Sequence, residues 1–501
     1  MRLQKIFWMA AFLCLGATSC KKLLDINTDP DNPSQRQGTP ELVFPAGVAS
    51  SAARIGGDLA VLGGIWSQYY TQNTTSNQYK NIDAFNLTKS DFGSTLLASP
   101  WAELYSGALN DYQYVINRSA QTGNWNYYLM ATVMKAYTLQ VLVDLYDEVP
   151  YTEAFGGAGN LQPKFDDGYT VYKGLLAEID TALNKDFGAS TNTVGGNADF
   201  IFPDAPGSWT IDPWIRFANT LKLKMYLRMV YAKPAEAEAG IRDLYEEGAE
   251  FLMEDAKIDV FEDAPDKSNP FYEFNYRKTN TDANLKASVT FLSWLQSNGD
   301  PRLDEYFFPA TNSTSYLGIN QGDYLNPNPL FNTASKAQVR ATDPVDFISE
   351  SESHFLQAEA LERFFNGAGA KEHYDAGVAA AFERYGENAA SFIASGGRYA
   401  YPTGGNFEQK LEAIITQKWA SMPGSHALEA FFERNRTGYP RTSPVYSTDP
   451  AYVPGQFVYP KNGVTNGQFA KRLLFPDIER SKNPNTPAEQ PITEPVWWDV
   501  R

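Results

Sequence analysis

The stretch SHFLQAEALERFFNGAGAKEHYDAGVAAAFERYG, from Ser353 to Gly386, decides the fold of this chain. Small residues at 358, 370 and 377 and an aromatic residue at 374 follow the spacing of a tetratricopeptide helix pair. Small side chains let two antiparallel helices approach closely, and the ring fills the space between them. The stretch therefore predicts one such helix pair. No regular 34-residue period recurs elsewhere, so the sequence does not predict a long repeat array.

Helical periodicity continues on both sides of this stretch. The clearest helix begins at Asp212-Pro213, an N-cap followed by proline at the first helical position, and ends at Lys233-Pro234. A second runs from Tyr127 to Tyr146, where apolar residues recur at intervals of three and four. Shorter helices are predicted at 45–70, 101–117, 169–184, 236–253, 285–296, 351–366, 371–385, 407–421 and 425–434. The chain is therefore predicted to be mainly α.

Two long segments, 256–347 and 436–501, lack a sustained period. Proline, glycine, asparagine and aromatic residues are concentrated there, which predicts ordered loops with short strands. Loops held on a rigid scaffold often carry binding surfaces, so these segments are candidates for function.

Composition and motifs exclude several classes of function. The 501 residues carry 59 acidic and 42 basic side chains, a formal charge of −17 that disfavours nucleic acid as a partner. The chain has neither a G-x-S-x-G elbow nor a glycine followed by lysine, so serine-hydrolase and P-loop chemistry are unsupported. Its three histidines, His354, His373 and His426, are too scattered for a usual zinc site and are interpreted as structural residues. We expect no metal and no cofactor.

The N-terminus predicts export. Residues 1–19 combine Arg2 and Lys5 with an apolar run too short to span a bilayer, as in a secretory signal peptide. Cys20 follows small residues and resembles the lipidated cysteine of bacterial lipoproteins, which would tether the protein to a membrane through acyl chains. Residues 20–44 are then a tether, and 45–501 form the folded domain. A soluble exported protein with a stray thiol is the alternative.

Aromatic and amide side chains alternate in GIWSQYYTQNTTSNQYKN, residues 64–81. Sugars bind through flat apolar faces stacked on rings while amides meet their hydroxyls, so this composition is typical of a carbohydrate site. The candidates in this segment are Trp66, Tyr69, Tyr70, Asn73 and Tyr79; the loops add Tyr272, Tyr276 and Tyr316. The alternative is core packing, because Trp66 and Tyr70 are four residues apart, as on a buried helical stripe.

Several segments together resemble one family. They are CKKLLDINTDPDNPS after the signal, WIRFANTLKLKMYLR at 214–228, DPRLDEYF at 300–307, HFLQAEA with the downstream YDAGV, LEAIITQKW at 411–419, ERNRTGYPR at 433–441 and KRLLFPDIERSKN at 471–483. In this order they resemble the SusD/RagB nutrient-binding lipoproteins of the bacterial outer membrane, in particular the second SusD-like branch.

The resemblance implies a fold and a role. Helix pairs of the tetratricopeptide type pack against an irregular, loop-rich half, and the protein is not an enzyme. Its relatives lie on the cell surface over a TonB-dependent, SusC-like barrel, capture oligosaccharides or peptides, and deliver them to that transporter. Lys21 and Lys22 stand where surface-exposed members often carry acidic residues, so lipidation is better supported than surface exposure.

Two other functions remain open from the residues alone. A secreted glycoside hydrolase needs only two carboxylates, and 59 acidic residues offer many pairs. A helical scaffold that binds another protein and no small ligand is the second.

Overall fold

A computed structural model of the chain describes residues 38–88, 99–192, 194–195, 198–204, 207–278 and 284–501. The predicted signal peptide, Cys20 and residues 20–37 of the predicted tether lie outside these ranges. The first helix begins at Pro40, so residues 40–44 of the predicted tether are helical and continue into the folded body. Proline suits this position because the first helical N–H needs no partner.

Helices dominate the described residues and confirm the predicted mainly α fold. They are α1 Pro40–Ile55, α2 Asp58–Trp66, α3 Lys80–Asp83, α4 Ser99–Glu103, α5 Asn110–Thr122, α6 Trp125–Tyr146, α7 Gly168–Leu183, α8 Asp212–Arg228, α9 Pro234–Glu246, α10 Pro270–Tyr272, α11 Val289–Asn298, α12 Leu303–Tyr306, α13 Glu350–Phe364, α14 Ala370–Glu383, α15 Ala390–Ile393, α16 Phe407–Ala420, α17 Ala427–Thr437 and α18 Asp477–Lys482. A π-helical turn, Leu104–Leu109, joins α4 to α5.

Short strands form three antiparallel pairs among the described residues. They are β1 Tyr70–Gln72 with β5 Leu285–Ala287, β2 Glu148–Val149 with β3 Asp166–Asp167, and β4 Ala256–Ile258 with β6 Val345–Ile348. The last pair joins the start of the loop-rich segment 256–347 to its end, just before the helix that follows.

The stretch from Ser353 to Gly386 forms the predicted helix pair, α13 and α14. Ser349 caps α13 by accepting a hydrogen bond from the Glu352 N–H at 3.1 Å. Gly377 of α14 lies against the Phe355 ring so closely that a Cβ there would be 2.9 Å from a ring carbon. The small residue is therefore needed for the close approach of the two helices. Further neighbouring pairs are α5 with α6, α8 with α9, and α16 with α17.

Three predicted helices are wrong in their extent. The helix predicted at 236–253 ends at Glu246. The segment 45–70 is not one helix: α1 ends at Ile55, Gly56-Gly57 form the turn, and α2 begins at Asp58. The helix predicted at 285–296 begins only at Val289, because residues 285–287 pair with β1 as a strand. Local periodicity cannot register that pairing, since the partner strand lies more than 200 positions away.

One continuous core runs through the helix pairs and under the loops. The central helix α6 is buried along almost its whole length, because α5, α7 and α8 all pack on it. None of the helices in the described part of the chain combines the length and apolarity that a bilayer crossing requires.

Candidate functional site

The aromatic residues predicted at the end of α2 lie in the core. The Trp66 side chain is 3% exposed, donates from Nε1 to the Ile82 carbonyl at 3.1 Å, and packs on Phe431 with ring centroids 4.9 Å apart. Tyr69 is fully buried, stacks on Trp419 at 5.6 Å and donates its hydroxyl proton to the Trp419 carbonyl. In this conformation neither ring has a free face for a sugar, which favours the alternative of core packing for these two residues.

Tyr79 and Asn73 are also enclosed. Tyr79 is fully buried, and its hydroxyl lies 3.3 Å from Oδ1 of Asn275. Asn73, 5% exposed, donates from Nδ2 to Thr75 Oγ1 at 3.0 Å and from its backbone N–H to the Asn284 carbonyl. These contacts hold the segment after β1 in place and leave the two side chains without an open face in this conformation.

The three loop tyrosines are half-buried. The Tyr272 ring lies between Tyr276, stacked at 5.1 Å, and the guanidinium of Arg277 at 5.3 Å. The hydroxyl of Tyr276 donates to the Ala337 carbonyl. Tyr316 donates to Oδ1 of Asp304 at 2.6 Å. The structure thus brings Tyr272 and Tyr276 together, whereas Tyr316 is held by Asp304 of α12.

Tyr70, from the same predicted segment, lines a cavity of about 240 Å³. The cavity lies where the loop-rich segment 256–347 meets the helix pairs. Its walls come from β4, the start of α10, the end of α12, the loop 338–344, Asp346 of β6, the two residues after α14 and the loop 421–426 between α16 and α17. Gly424 in the last loop has φ +94°, a left-handed conformation that favours glycine and turns the chain around the cavity.

Four rings form the apolar part of this cavity. Tyr70 packs on Phe271 at 5.9 Å, and Tyr306 meets Tyr385 edge-on at 5.3 Å. Tyr306 donates its hydroxyl proton to the Ala420 carbonyl at 3.1 Å, which fixes its ring. Burial raises the pKa of Tyr385, so its half-buried hydroxyl remains a protonated hydrogen-bond group at neutral pH.

Paired charges form the polar part. Nη2 of Arg384 donates to both carboxylate oxygens of Asp346 at 2.7 and 2.6 Å, and Ser425 adds a hydrogen bond to the same carboxylate at 3.1 Å. Burial opposes the charge of Asp346, but Arg384 and His426 together hold its pKa below the usual value. Nearer the mouth, Nη2 of Arg340 donates to Glu305 Oε2 at 2.6 Å.

His426 lies at the base of the cavity and immediately before α17. Its side chain is 5% exposed, and its Nε2 lies 3.8 Å from Oε2 of Glu352, which is fully buried. The described residues give Nε2 no hydrogen-bond partner of good geometry. The imidazole therefore connects the cavity to a charged cluster deeper between the helices.

The cavity combines features that suit recognition of a sugar. Tyr70, Phe271 and Tyr306 are at most 4% exposed and form its wall, so the half-buried ring of Tyr385 is the one placed to cover the apolar face of a sugar. Guanidinium, carboxylate and hydroxyl groups can meet the sugar hydroxyls. Pockets for drug-sized ligands run from about 300 to 1,000 Å³, so this cavity suits a smaller group such as one sugar unit. Among the described residues, no cluster of three or more metal-ligating side chains is present.

Sequence reasoning found Tyr70 and missed most of the other cavity residues. Tyr306 lies in DPRLDEYF, and Arg384 and Tyr385 end the helix-pair stretch, but both segments were used only as fold signals. His426 was interpreted as structural. The one available signal was a tyrosine beside an arginine just before Gly386, at a helix end.

Comparison with known proteins gives a family match and structural neighbours. The sequence model of SusD-like 2, described as "starch-binding associating with outer membrane", matches residues 63–460. No curated protein matches the chain. A SusD homologue from Bacteroides uniformis is 22% identical, covering 92% of this chain and 99% of that chain with a TM-score of 0.73.

Two further solved structures give the same result. A chitin-binding SusD homologue from Flavobacterium johnsoniae is 22% identical, with 91% of this chain and 98% of that chain covered and a TM-score of 0.72. A SusD-like protein from Bacteroides thetaiotaomicron is 21% identical over 91% and 98% of the two chains, with a TM-score of 0.69. At these identities the structural likeness shows the fold alone.

Proposed function

We propose that this chain, a member of the SusD-like family, captures carbohydrate and leaves the glycosidic bonds intact. The family is described as starch-binding and associated with the outer membrane. The ligand is an oligosaccharide, bound through one sugar unit in the cavity beside Tyr70 and Tyr385. The chitin-binding homologue from Flavobacterium johnsoniae supports this class of ligand.

The cavity is the observation that carries this proposal. It places the half-buried ring of Tyr385, backed by the buried rings of Tyr70, Phe271 and Tyr306, beside groups that donate and accept hydrogen bonds, in a space of about 240 Å³. Two of its four carboxylates, Asp346 and Glu305, are held by arginines, so neither is free for acid–base chemistry. A glycosidase would instead need one carboxyl group free to donate a proton and a second free to act as base or nucleophile.

Delivery to a transporter is the second part of the proposal. Acylation of Cys20 would hold the domain at the outer membrane, and a SusC-like, TonB-dependent barrel would receive the captured sugar. This part rests on the sequence before residue 38 and on the family, and copurification of a large barrel protein from native membranes tests it directly.

Calorimetry with maltohexaose and with fully acetylated chitohexaose tests capture. We expect at least one of them to bind the purified domain and to be recovered uncleaved. Replacing Tyr385 with alanine should weaken that binding about tenfold or more, because a stacked ring face and a hydroxyl partner are lost.

Tyr128→Ala is the matched control, since Tyr128 is also a half-buried ring but packs on Trp125 outside the cavity. It should leave the affinity within about twofold of the native value, as expected for a site outside the contact. Release of shorter sugars would overturn the proposal in favour of a hydrolase. Equal losses in the two variants would place the binding site elsewhere.

A further inference from the structure

The cationic side chains of the cavity are all matched by carboxylates. Three cations and one histidine line it against four acids; they are Lys257, Arg340, Arg384 and His426 against Asp259, Glu305, Asp343 and Asp346. Even with His426 protonated, the acids are not outnumbered. Outside the lining, Asp255 lies 3.4 Å from Lys257 Nζ and 3.8 Å from Arg384 Nη1. The cavity therefore holds no excess positive charge with which to attract an anion.

The deeper pair is closed to a ligand. Arg384 holds both oxygens of Asp346, and the two side chains are 23% and 6% exposed. An anionic sugar would have to displace a buried carboxylate that Ser425 also hydrogen-bonds. Separating such a pair leaves a desolvated charge without a partner, which is costly.

The outer pair is the one that a ligand can reach. Arg340 and Glu305 are 46% and 28% exposed, with Nη2 and Oε2 only 2.6 Å apart. The backbone N–H of Arg340 is also occupied, since it donates to Asp343 Oδ2 at 2.7 Å. Glu305 thus fills the position that the carboxylate of a uronic acid would take on the Arg340 guanidinium, whose planar geometry matches a carboxylate.

We infer that Glu305 is a specificity-determining residue that reserves this cavity for uncharged sugars by occupying Arg340. The inference rests on the proposed function and adds to it the class of ligand. Uronic acids and sulfated sugars are disfavoured twice, because Nη2 of the guanidinium already donates to Glu305 and because the remaining carboxylates repel a further negative charge.

Calorimetry with hexagalacturonate tests this inference. The native protein should bind it at least about tenfold more weakly than Glu305→Gln does, because the amide frees Arg340 for a charge-assisted hydrogen bond to the sugar carboxylate. The double variant Glu305→Gln/Arg340→Ala should lose that gain. Glu412→Gln is the matched control, since Glu412 pairs with Arg441 at 2.6 Å outside the cavity with similar exposure, 32% and 55%.

The outcomes separate the two claims. Tight binding of hexagalacturonate by the native protein, or no gain in Glu305→Gln, overturns the inference. An equal gain in affinity for hexagalacturonate in Glu412→Gln also overturns it, because loss of a negative charge anywhere on the protein would then explain the tighter binding. If neither neutral hexasaccharide binds the native protein, the proposed function is contradicted instead. The comparison of native and variant protein with hexagalacturonate still decides the role of Glu305.

Discussion

Nε of Arg228 on α8 lies 3.0 Å from Oδ2 of Asp144 on α6, and both side chains are fully enclosed. Oδ1 of the same carboxylate accepts hydrogen bonds from the Tyr172 hydroxyl at 2.6 Å and from Trp498 Nε1 at 2.8 Å. Asp144 therefore joins α6, α7, α8 and the C-terminal segment at one point.

The same arginine leads into a larger buried cluster. Its other nitrogens donate to Glu429 and Glu433 on α17. Further cations complete the cluster; they are Lys224 on α8, Lys418 on α16 and Arg436 on α17, paired with Glu352, Glu359, Glu429 and Glu433. Although burial opposes its charge, Arg228, Lys224 and Lys418 hold the pKa of Glu429 at about 2. The helix pairs are thus joined by charge as well as by apolar packing.

Breaking this cluster at Asp144 should be strongly destabilising. We expect Asp144→Ala to lower the free energy of unfolding by about 3–5 kcal/mol, because Arg228 would keep a buried charge that has lost a partner. Chemical denaturation measures the loss. Glu250→Ala is the control, since Glu250 pairs with Arg216 at the surface and should cost less than about 1 kcal/mol. Similar losses in the two variants would contradict the role given to the buried cluster.

Gly63 should not tolerate a methyl group. A Cβ at this position would lie 2.4 Å from the Leu428 backbone nitrogen, where α2 crosses α17. Backbone atoms cannot rotate away, so Gly63→Ala should cost about 3 kcal/mol in spite of the better helix propensity of alanine.

Gly159→Ala is the matched control for that substitution, because a Cβ there meets no atom within 4 Å. Its unfolding free energy should stay within about 0.5 kcal/mol of the native value. A Gly63→Ala protein as stable as this control would show that the two helices are not in close contact.

Asp58 should make the protein less stable as the pH rises. Its side chain is 1% exposed, and the described residues give neither carboxylate oxygen a hydrogen bond of good geometry. Burial raises its pKa to about 7 from 3.8, although Arg54 opposes the shift. Since the fold favours the protonated form, the stabilising contribution is complete below pH 3.8 and is lost as the pH rises toward 7.

Asp58→Asn should remove this dependence. Relative to native protein, the variant should gain on the order of 2–4 kcal/mol of stability between pH 4 and pH 8. Urea denaturation at both values measures the difference, and comparing the two cancels any change in packing. Glu246→Gln, at an exposed position of α9, should show no such gain. A pH-independent effect of Asp58→Asn would show that the carboxyl group is solvated.

At the pair His354 and His373 we expect the opposite dependence, a loss of stability as the pH falls. Their Nδ1 atoms lie 3.1 Å apart across α13 and α14. Burial and the neighbouring His373 lower the pKa of His354 to about 4. Because the fold favours the neutral form, its contribution is complete above pH 6.5 and is lost as the pH falls from 6.5 to about 4.

His354→Gln should therefore show a shallower loss of stability with acid. Between pH 6.5 and 4.5 the native protein should lose about 2 kcal/mol more than the variant. Glu350 lies 3.9 Å from Nε2 of His354 and moderates the effect. Parallel stability curves for the two proteins would mean that this histidine is protonated freely in the fold.

The helix pair at 353–386 could be predicted because its determinants are local. Gly377 of α14 packs against Phe355 of α13, and one short connection joins the two helices. The small and aromatic residues of the pair stand at the spacing that this motif requires. The predicted start of the helix at 285–296 was wrong because a distant segment pairs with it. Residues 285–287 form a strand, since β1, at 70–72, supplies their backbone hydrogen-bond partners.

The aromatic segment shows where residue types stop being informative. Trp66, Tyr69, Tyr70 and Tyr79 occur together in the sequence and have a composition suited to binding sugars. All four are at most 3% exposed, and Tyr70 differs in that its buried ring lies in the wall of a cavity that Arg384 and His426 also line. The spacing of apolar residues shows which rings share one face of a helix. A face that packs in the core and a face that binds a ligand have the same spacing, so the sequence does not distinguish them.

The amino-acid sequence by itself determined one helix pair, the loop-rich segments and the family, since each shows in short local patterns of residues. Only the tertiary structure decided which rings line the cavity and which charges there are paired. The cavity brings together residues from segments up to 356 positions apart; they include Tyr70, Glu305, Arg340, Arg384 and His426. Their meeting is set by how helices and loops pack together, and that packing depends on the whole core.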